Sequence, residues 1–338
     1  MSWTQRGADI NGEAADDNSG YSVSLSSDGT VVAIGALYNN GNGTWSGHVR
    51  VYTWNGTSWI QRGADIDGKA STDQSGYSVS LSSDGTVVAI GAPGNDDNGF
   101  ASGHVRVYGW DGTSWTQRGN DIDGEAAFDE SGWSVSLSSD GTVVAIGARY
   151  NDDNGTNSGH VRVYSWDGSV WTQRGDDIDG EAAGDYSGWS VSLSSDGTVV
   201  AVGAYLNDGI NGTNSGHVRV YGWDGTSWTQ RGDDIDGEAA SDNSGISVSL
   251  NSDGTVVAIG AYFNDGINEL DSGHVRVYSW NGAVWTQRGA DIDGEAAGDE
   301  SGWSVSLSSD GTVVAIGALL NDGINGTSSG HVRVYTLN

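Results

Sequence analysis

What most constrains this chain is a repeat of 56 or 57 residues that runs from end to end. The phrase W-[TI]-Q-R-G begins at Trp3, Trp59, Trp115, Trp171, Trp228 and Trp285. S-G-x-S-V-S-L follows each time, with its glycine at Gly20, Gly76, Gly132, Gly188, Gly245 and Gly302. G-H-V-R-V-Y comes next and accounts for all six histidines: His48, His104, His160, His217, His274 and His331. The copies leave no length for a second domain, so residues 1–338 read as a single domain.

Each unit reads as four short strands. Tyr21, Val23 and Leu25 alternate with serines, the period of a half-buried strand. Ser26-Ser27-Asp28-Gly29 supplies a tight turn. The next strand, residues 30–36, has an unbroken apolar centre, which calls for burial on both faces. The third runs from His48 to Trp54, Asn55-Gly56 turns the chain, and the fourth carries Trp59. No window shows the period of an amphipathic helix.

The order of strands at the two ends chooses between a ring and a linear array. The chain opens on a fourth-strand phrase, Trp3 to Arg6, and stops after a third-strand phrase, His331 to Tyr335. Closing a ring pairs these two orphans, whereas a linear array leaves an exposed edge at each end. The expectation is an all-β, closed six-bladed β-propeller with four antiparallel strands per blade, its last blade completed by the N-terminal strand. Intervals of 56 residues give way to 57 where Asn95-Asp96-Asp97-Asn98-Gly99 becomes Asn207-Asp208-Gly209-Ile210-Asn211-Gly212, so that segment is a surface loop.

The unit order G-x-S-V-S-L, turn, V-V-A-I-G-A, G-H-V-R-V-Y resembles the FG-GAP repeat of integrin-alpha propellers and many microbial surface proteins. Ser131-Gly132-Trp133-Ser134-Val135-Ser136-Leu137 matches its opening, with serine in place of the family's phenylalanine, and Ile90-Gly91-Ala92-Pro93 matches its G-A-P segment. The resemblance implies a propeller and a calcium loop of pattern D-x-D-x-D-G-x-x-D between the first two strands. Here that hairpin keeps one acidic residue, whereas calcium takes six to eight oxygens, so calcium is not supported there. No cofactor is expected.

Charge and composition narrow the partners. The net charge is −31, from 45 acidic and 14 basic residues, which repels phosphate backbones and anionic membranes. Nucleic acid is therefore not an expected partner, and no apolar run approaches a membrane span. The start carries no signal peptide, and an extracellular or cell-surface origin is expected if the chain is part of a longer protein. Cysteine is absent, which removes disulfides and thiolate chemistry. Ring closure makes a monomer the expectation.

Candidate sites divide into repeated and variable positions. The Asp121-Ile122-Asp123-Gly124-Glu125 segment with Asp129 offers oxygens for a cation, but its equivalents carry Lys69 and Asn11, and turn formation explains the pattern. The Asn-Asp-Gly loops at 207–209, 264–266 and 321–323 read the same way. The histidines, a blade apart, read as hydrogen-bonded residues at strand starts, and Trp54, Trp59, Trp110 and Trp115 as wedges between blades. Two R-G-D tripeptides, at 174–176 and 231–233, are point variants of the Q-R-G-x phrase. The sequons at Asn42 and Asn154 accept glycans only in a glycosylating pathway.

Variable positions carry the binding expectation. After the second strand come Leu37-Tyr38, Pro93-Gly94, Arg149-Tyr150, Tyr205-Leu206, Tyr262-Phe263 and Leu319-Leu320, and before the first strand Asn18, Gln74, Glu130, Tyr186, Asn243 and Glu300. If both loops open on one end, Tyr38, Arg149, Tyr150, Tyr186, Tyr205, Tyr262 and Phe263 form an aromatic surface for a glycan or a surface protein. No catalytic or metal-ligating residue is assigned. Six-fold repetition supplies no nucleophile–base pair, so a non-catalytic recognition, adhesion or scaffold module is expected. A structural or recently amplified repeat without a ligand, and a hydrolase or lyase using channel carboxylates, are the alternatives.

Overall fold

The computed structural model describes residues 4–266, 268, 270–323 and 325–337. The second repeat shows how the sequence makes a blade. Ser78–Leu81, Val87–Ala92, His104–Trp110 and Trp115–Gln117 are successive antiparallel strands. Asp84 builds the first turn, its Oδ1 accepting from Thr86 N at 2.9 Å, Thr86 Oγ1 at 2.7 Å and Ser82 Oγ at 2.8 Å. Burial works to raise this carboxyl, but the three donors outweigh it and hold it below its ordinary value. Asp111 closes the third turn in the same way, accepting from Thr113 N and Ser114 N at 2.8 Å.

A fifth strand of two residues, Ile122–Asp123, follows the expected four. It returns to the start of the third strand, where Ile122 pairs with Val105 and Asp123 with His104. This return places the acidic segment beside the histidine, a position that strand alternation did not reveal.

The unbroken apolar second strand is buried on both faces because the two faces serve two interfaces. Val88 and Ile90 join Val31, Ala33, Val49 and Val51 of the first repeat in one core cluster. Val87 and Ala89 turn the other way and join Leu137, Val144 and Ile146 of the third. Each such valine, leucine or isoleucine, fully removed from water, contributes about 1.5–3 kcal/mol.

The other repeats use the same strands. The first has Ser19–Leu25, Val31–Ala36, His48–Trp54 and Trp59–Gln61. The third has Ser134–Leu137, Val143–Ala148, His160–Trp166 and Trp171–Gln173. The fourth has Ser190–Leu193, Val199–Ala204, His217–Trp223 and Trp228–Gln230. The fifth has Ser247–Leu250, Val256–Ala261, His274–Trp280 and Trp285–Gln287. Ser301–Leu307, Val313–Ala318 and His331–Thr336 make the sixth. Six antiparallel sheets in sequence order, with no helix among the described residues, make the chain an all-β, six-bladed β-propeller.

The chain divides into two compact units, Met1–Ala148 with Tyr164–Thr172, and Arg149–Val163 with Gln173–Asn338. In the first unit, the expected N-terminal strand is not formed by its described residues: 4–6 lie in no strand, and Trp3 falls outside the description. The segment packs on the first blade instead. Arg6 Nη1 donates to Gly29 O at 2.6 Å, and Trp59 Nε1 donates to Arg6 O at 2.8 Å. In the second unit, the last sheet has three strands, not the expected four. Val23 of the first blade is 64% exposed and Val334 of the last 63%, whereas Val51, equivalent to Val334, is buried.

Candidate functional site

The repeat fixes the backbone of the loop before each inner strand and leaves its side chain free to differ. Asn18, Gln74, Glu130, Tyr186, Asn243 and Glu300 all adopt left-handed φ, between 53° and 56°. In the second unit this conformation sets the Tyr186 ring 5.3 Å from Tyr150 and 6.0 Å from Tyr205. Trp189 packs 4.5 Å from Tyr205, and the Arg149 guanidinium lies 4.2 Å over Tyr150 and 4.9 Å from Trp189. Tyr262 meets Phe263 at 3.9 Å and the edge of Trp303 at 5.1 Å. Arg149, Tyr150, Tyr186 and Tyr205 are thus brought together, with Tyr262 and Phe263 as a second group in the same unit. Tyr38, in the first unit, packs 5.5 Å from Trp45.

The tyrosines, Trp189 and Phe263 are half-buried, whereas Trp45 and Trp303 are exposed; burial raises the Tyr205 and Tyr262 hydroxyls, Tyr262 to about 12. Both keep their protons at neutral pH and can donate a hydrogen bond. Trp189 and Trp303 belong to a position that sequence reasoning passed over, the variable residue of S-G-x-S-V-S-L. Its occupants are Tyr21, Tyr77, Trp133, Trp189, Ile246 and Trp303. Alternation with serine made them read as one face of a half-buried strand, yet Tyr77 and Trp133, each just before its inner strand, pack 4.3 Å apart. Aromatic residues in five of the six copies were the signal available.

Most repeated polar positions are occupied by structure. Trp115 Nε1 donates to Arg62 O at 2.7 Å, its ring lies 5.4 Å from Trp110, and the Arg62 guanidinium sits 4.8 Å from Trp110. Arg174 of the first R-G-D donates to Gly197 O at 2.9 Å and covers Trp223, so it braces a blade. The sequon amides are engaged too: Asn42 Nδ2 donates to Gly68 O at 2.9 Å and Asn154 Nδ2 to Gly180 O at 2.8 Å. Asp129 Oδ2 accepts from Ala126 N at 3.0 Å, and its equivalent Asp185 also accepts from Asn207 Nδ2 at 3.0 Å. In the Asn-Asp-Gly loops Asp208 caps Asn214 N at 2.8 Å.

The histidines differ from the expectation of a hydrogen bond at the strand start. The His217 ring is buried, and neither of its nitrogens has a hydrogen-bond partner. Its Nδ1 faces Glu181 Oε2 at 3.8 Å and Asp234 Oδ2 at 3.7 Å, too far for hydrogen bonds. Gln230 Nε2 donates to Asp234 Oδ1 at 2.6 Å, which leaves Oδ2 turned toward the ring. Burial, then Arg219, lowers His217 to about 4, so the imidazole is neutral at pH 7. Burial also raises the Glu181 carboxyl, against the opposing pull of Arg219. Glu13, His48 and Asp65, and Glu238, His274 and Asp291, form equivalent groups.

Comparison with known proteins agrees with this architecture. No curated protein sequence matches the chain. Among solved structures, a putative 6-phosphogluconolactonase from Bacteroides uniformis superposes with a TM-score of 0.60 at 11% identity, over 94% of this chain and 81% of that one. Hydrazine synthase from Kuenenia stuttgartiensis gives 0.57 at 12% identity, over 92% and 78%. At these identities the likeness is one of fold. The FG-GAP repeat matches residues 66–108, 122–164, 178–221 and 291–335, together just over half of the sequence. The chain belongs to the FG-GAP repeat family.

Proposed function

We propose that this propeller is a non-catalytic recognition module that holds a neutral glycan against the aromatic loops of its second unit. The observation that carries the reading is the contiguous group of Arg149, Tyr150, Tyr186, Trp189 and Tyr205. Arg149, Tyr150 and Tyr205 stand where other blades have Pro93-Gly94 or Leu319-Leu320, and Tyr186 where others have Gln74 or Asn243. Stacked aromatic faces suit the apolar faces of sugar rings, and protonated tyrosine hydroxyls supply the accompanying hydrogen bonds. A net charge of −31 disfavours acidic glycans, which makes neutral ones the fitting class.

Isothermal titration with neutral oligosaccharides tests this. Saturable binding is expected, weakened about tenfold or more in Tyr205→Ala, the loss of about 1.4 kcal/mol typical of one stacked contact. No binding across the series would rule out glycan recognition, and binding unchanged in Tyr205→Ala would place it elsewhere.

A further inference from the structure

We infer that the histidine–carboxylate groups of the first, fourth and fifth blades are binding sites for a divalent first-row transition ion, zinc above all. Three parts of the repeat meet in each group. G-H-V-R supplies a buried imidazole, Q-R-G-x-D an aspartate held by its own glutamine, and [DN]-G-E a glutamate, from the preceding repeat in the fourth and fifth blades and from the N-terminal segment, Asn11-Gly12-Glu13, in the first. In the fourth blade, His217 Nδ1 has no hydrogen-bond partner, is buried, and aims between Glu181 Oε2 and Asp234 Oδ2 at 3.8 and 3.7 Å. Donors that share one tetrahedral zinc lie about 3.4 Å apart, given bonds of about 2.0–2.2 Å. The two imidazole–carboxylate separations exceed that by a few tenths of an ångström, and all three donor atoms lie within 4.8 Å of one another, so a modest closing of the group gives three of the four zinc ligands. A neutral imidazole with two carboxylates suits zinc better than calcium, which prefers an all-oxygen shell.

The second blade supplies an independent observation. Its glutamate position is Lys69, and the ammonium fills the corresponding space, 2.6 Å from Asp97 Oδ2 and 2.8 Å from Asp121 Oδ2. His104 Nδ1 faces the same two oxygens at 3.7 and 3.6 Å. The repeat thus places a cation of its own at this point, even with Arg106 nearby. The loop adds Asp97 in this blade, as it adds Asp153 in the third where the glutamate is kept, whereas the fourth blade has Gly209. A built-in cation in one copy marks the position at which the other copies would take one from solution. In the fourth and fifth blades the neighbouring arginine engages the other glutamate oxygen, Arg219 at 3.7 Å and Arg276 at 3.8 Å, leaving Oε2 for the ion.

The test is zinc stoichiometry. The full chain is stripped with chelator and titrated with zinc chloride at neutral pH by calorimetry, with bound metal counted after dialysis. Lys69→Glu is expected to gain one equivalent of zinc over the unmodified chain, and His217→Ala to lose one. Lys69 is exposed and its replacement leaves the core intact, so the gain is readable even if the buried histidine variant does not fold. Zinc uptake unchanged by Lys69→Glu, or calcium taken up with this pattern in place of zinc, would overturn the assignment.

Discussion

At the scale of single residues, the positions kept in every copy build the blade, and two of them give sharp predictions. A Cβ on Gly91, the glycine of the G-A-P segment, would come within 2.0 Å of Gly132 O on the next blade. That oxygen already accepts from Ser78 Oγ at 2.8 Å, so neither backbone has room to retreat. Gly91→Ala is therefore expected to cost about 3 kcal/mol, read as a lowered denaturation midpoint; a loss within error would contradict this close approach. The buried histidines make stability depend on pH. His104, His217 and His274 are each lowered to about 4, by burial first and by the arginine two residues on. An unfolded histidine binds its proton near 6.5, so below that value the unfolded chain holds more protons and stability falls with pH. Each histidine contributes up to about 1.4 kcal/mol per pH unit. Melting temperature should fall from pH 7.5 to about pH 5.5, above the ordinary carboxylate range, and a flat profile would contradict the burial argument.

These histidines also show where sequence reasoning stops. Alternation put His217 at the start of a strand, and the structure agrees. Its partners Glu181 and Asp234 lie 36 residues before it and 17 after it, and nothing in strand periodicity brings them together. The return of a two-residue strand to the third strand does so, and Ile235–Asp236 carries only one apolar residue as a signal. At the variable loops Tyr150, Tyr186 and Tyr205 stood out by their differences between copies, and the structure sets their rings side by side. Trp189 escaped because it sits within a strand pattern that already had an explanation.

At the scale of the element, the blade is held at its outer edge by tryptophan and arginine. Trp115 donates to the carbonyl of Arg62, and that arginine's guanidinium donates to Gly85 O at 2.9 Å while covering both indoles. One side chain thus links the outer strand of one blade to the turn of the next. Trp115→Ala should cost about 3–5 kcal/mol, and Trp115→Phe distinctly less, because most of the apolar ring contact remains while the Nε1 bond is lost. Equal losses for the two variants would assign the stabilisation to the hydrogen bond and not to packing. The four main strands were legible from alternation and turn chemistry. The N-terminal outer strand was inferred from the order of phrases alone, and phrase order does not specify pairing: residues 4–6 make the contacts of that position with the first blade and no strand of their own.

At the scale of the molecule, the net charge and the division between repeated and variable positions govern behaviour. A charge of −31 works against compactness at low ionic strength, so raising sodium chloride from about 0.05 to 1 M should raise the melting temperature; a fall would contradict this. The central claim is that repeated residues hold the fold and the variable aromatic loops hold the ligand. Its most direct test is a neutral-glycan array run beside a thermal melt, on the unmodified chain and on a variant with Arg149, Tyr150, Tyr186, Tyr205, Tyr262 and Phe263 all changed to serine. The account predicts an intact cooperative melt for both proteins and a glycan signal for the unmodified chain alone. A glycan signal that survives in the variant, or is absent from the unmodified chain, would contradict it.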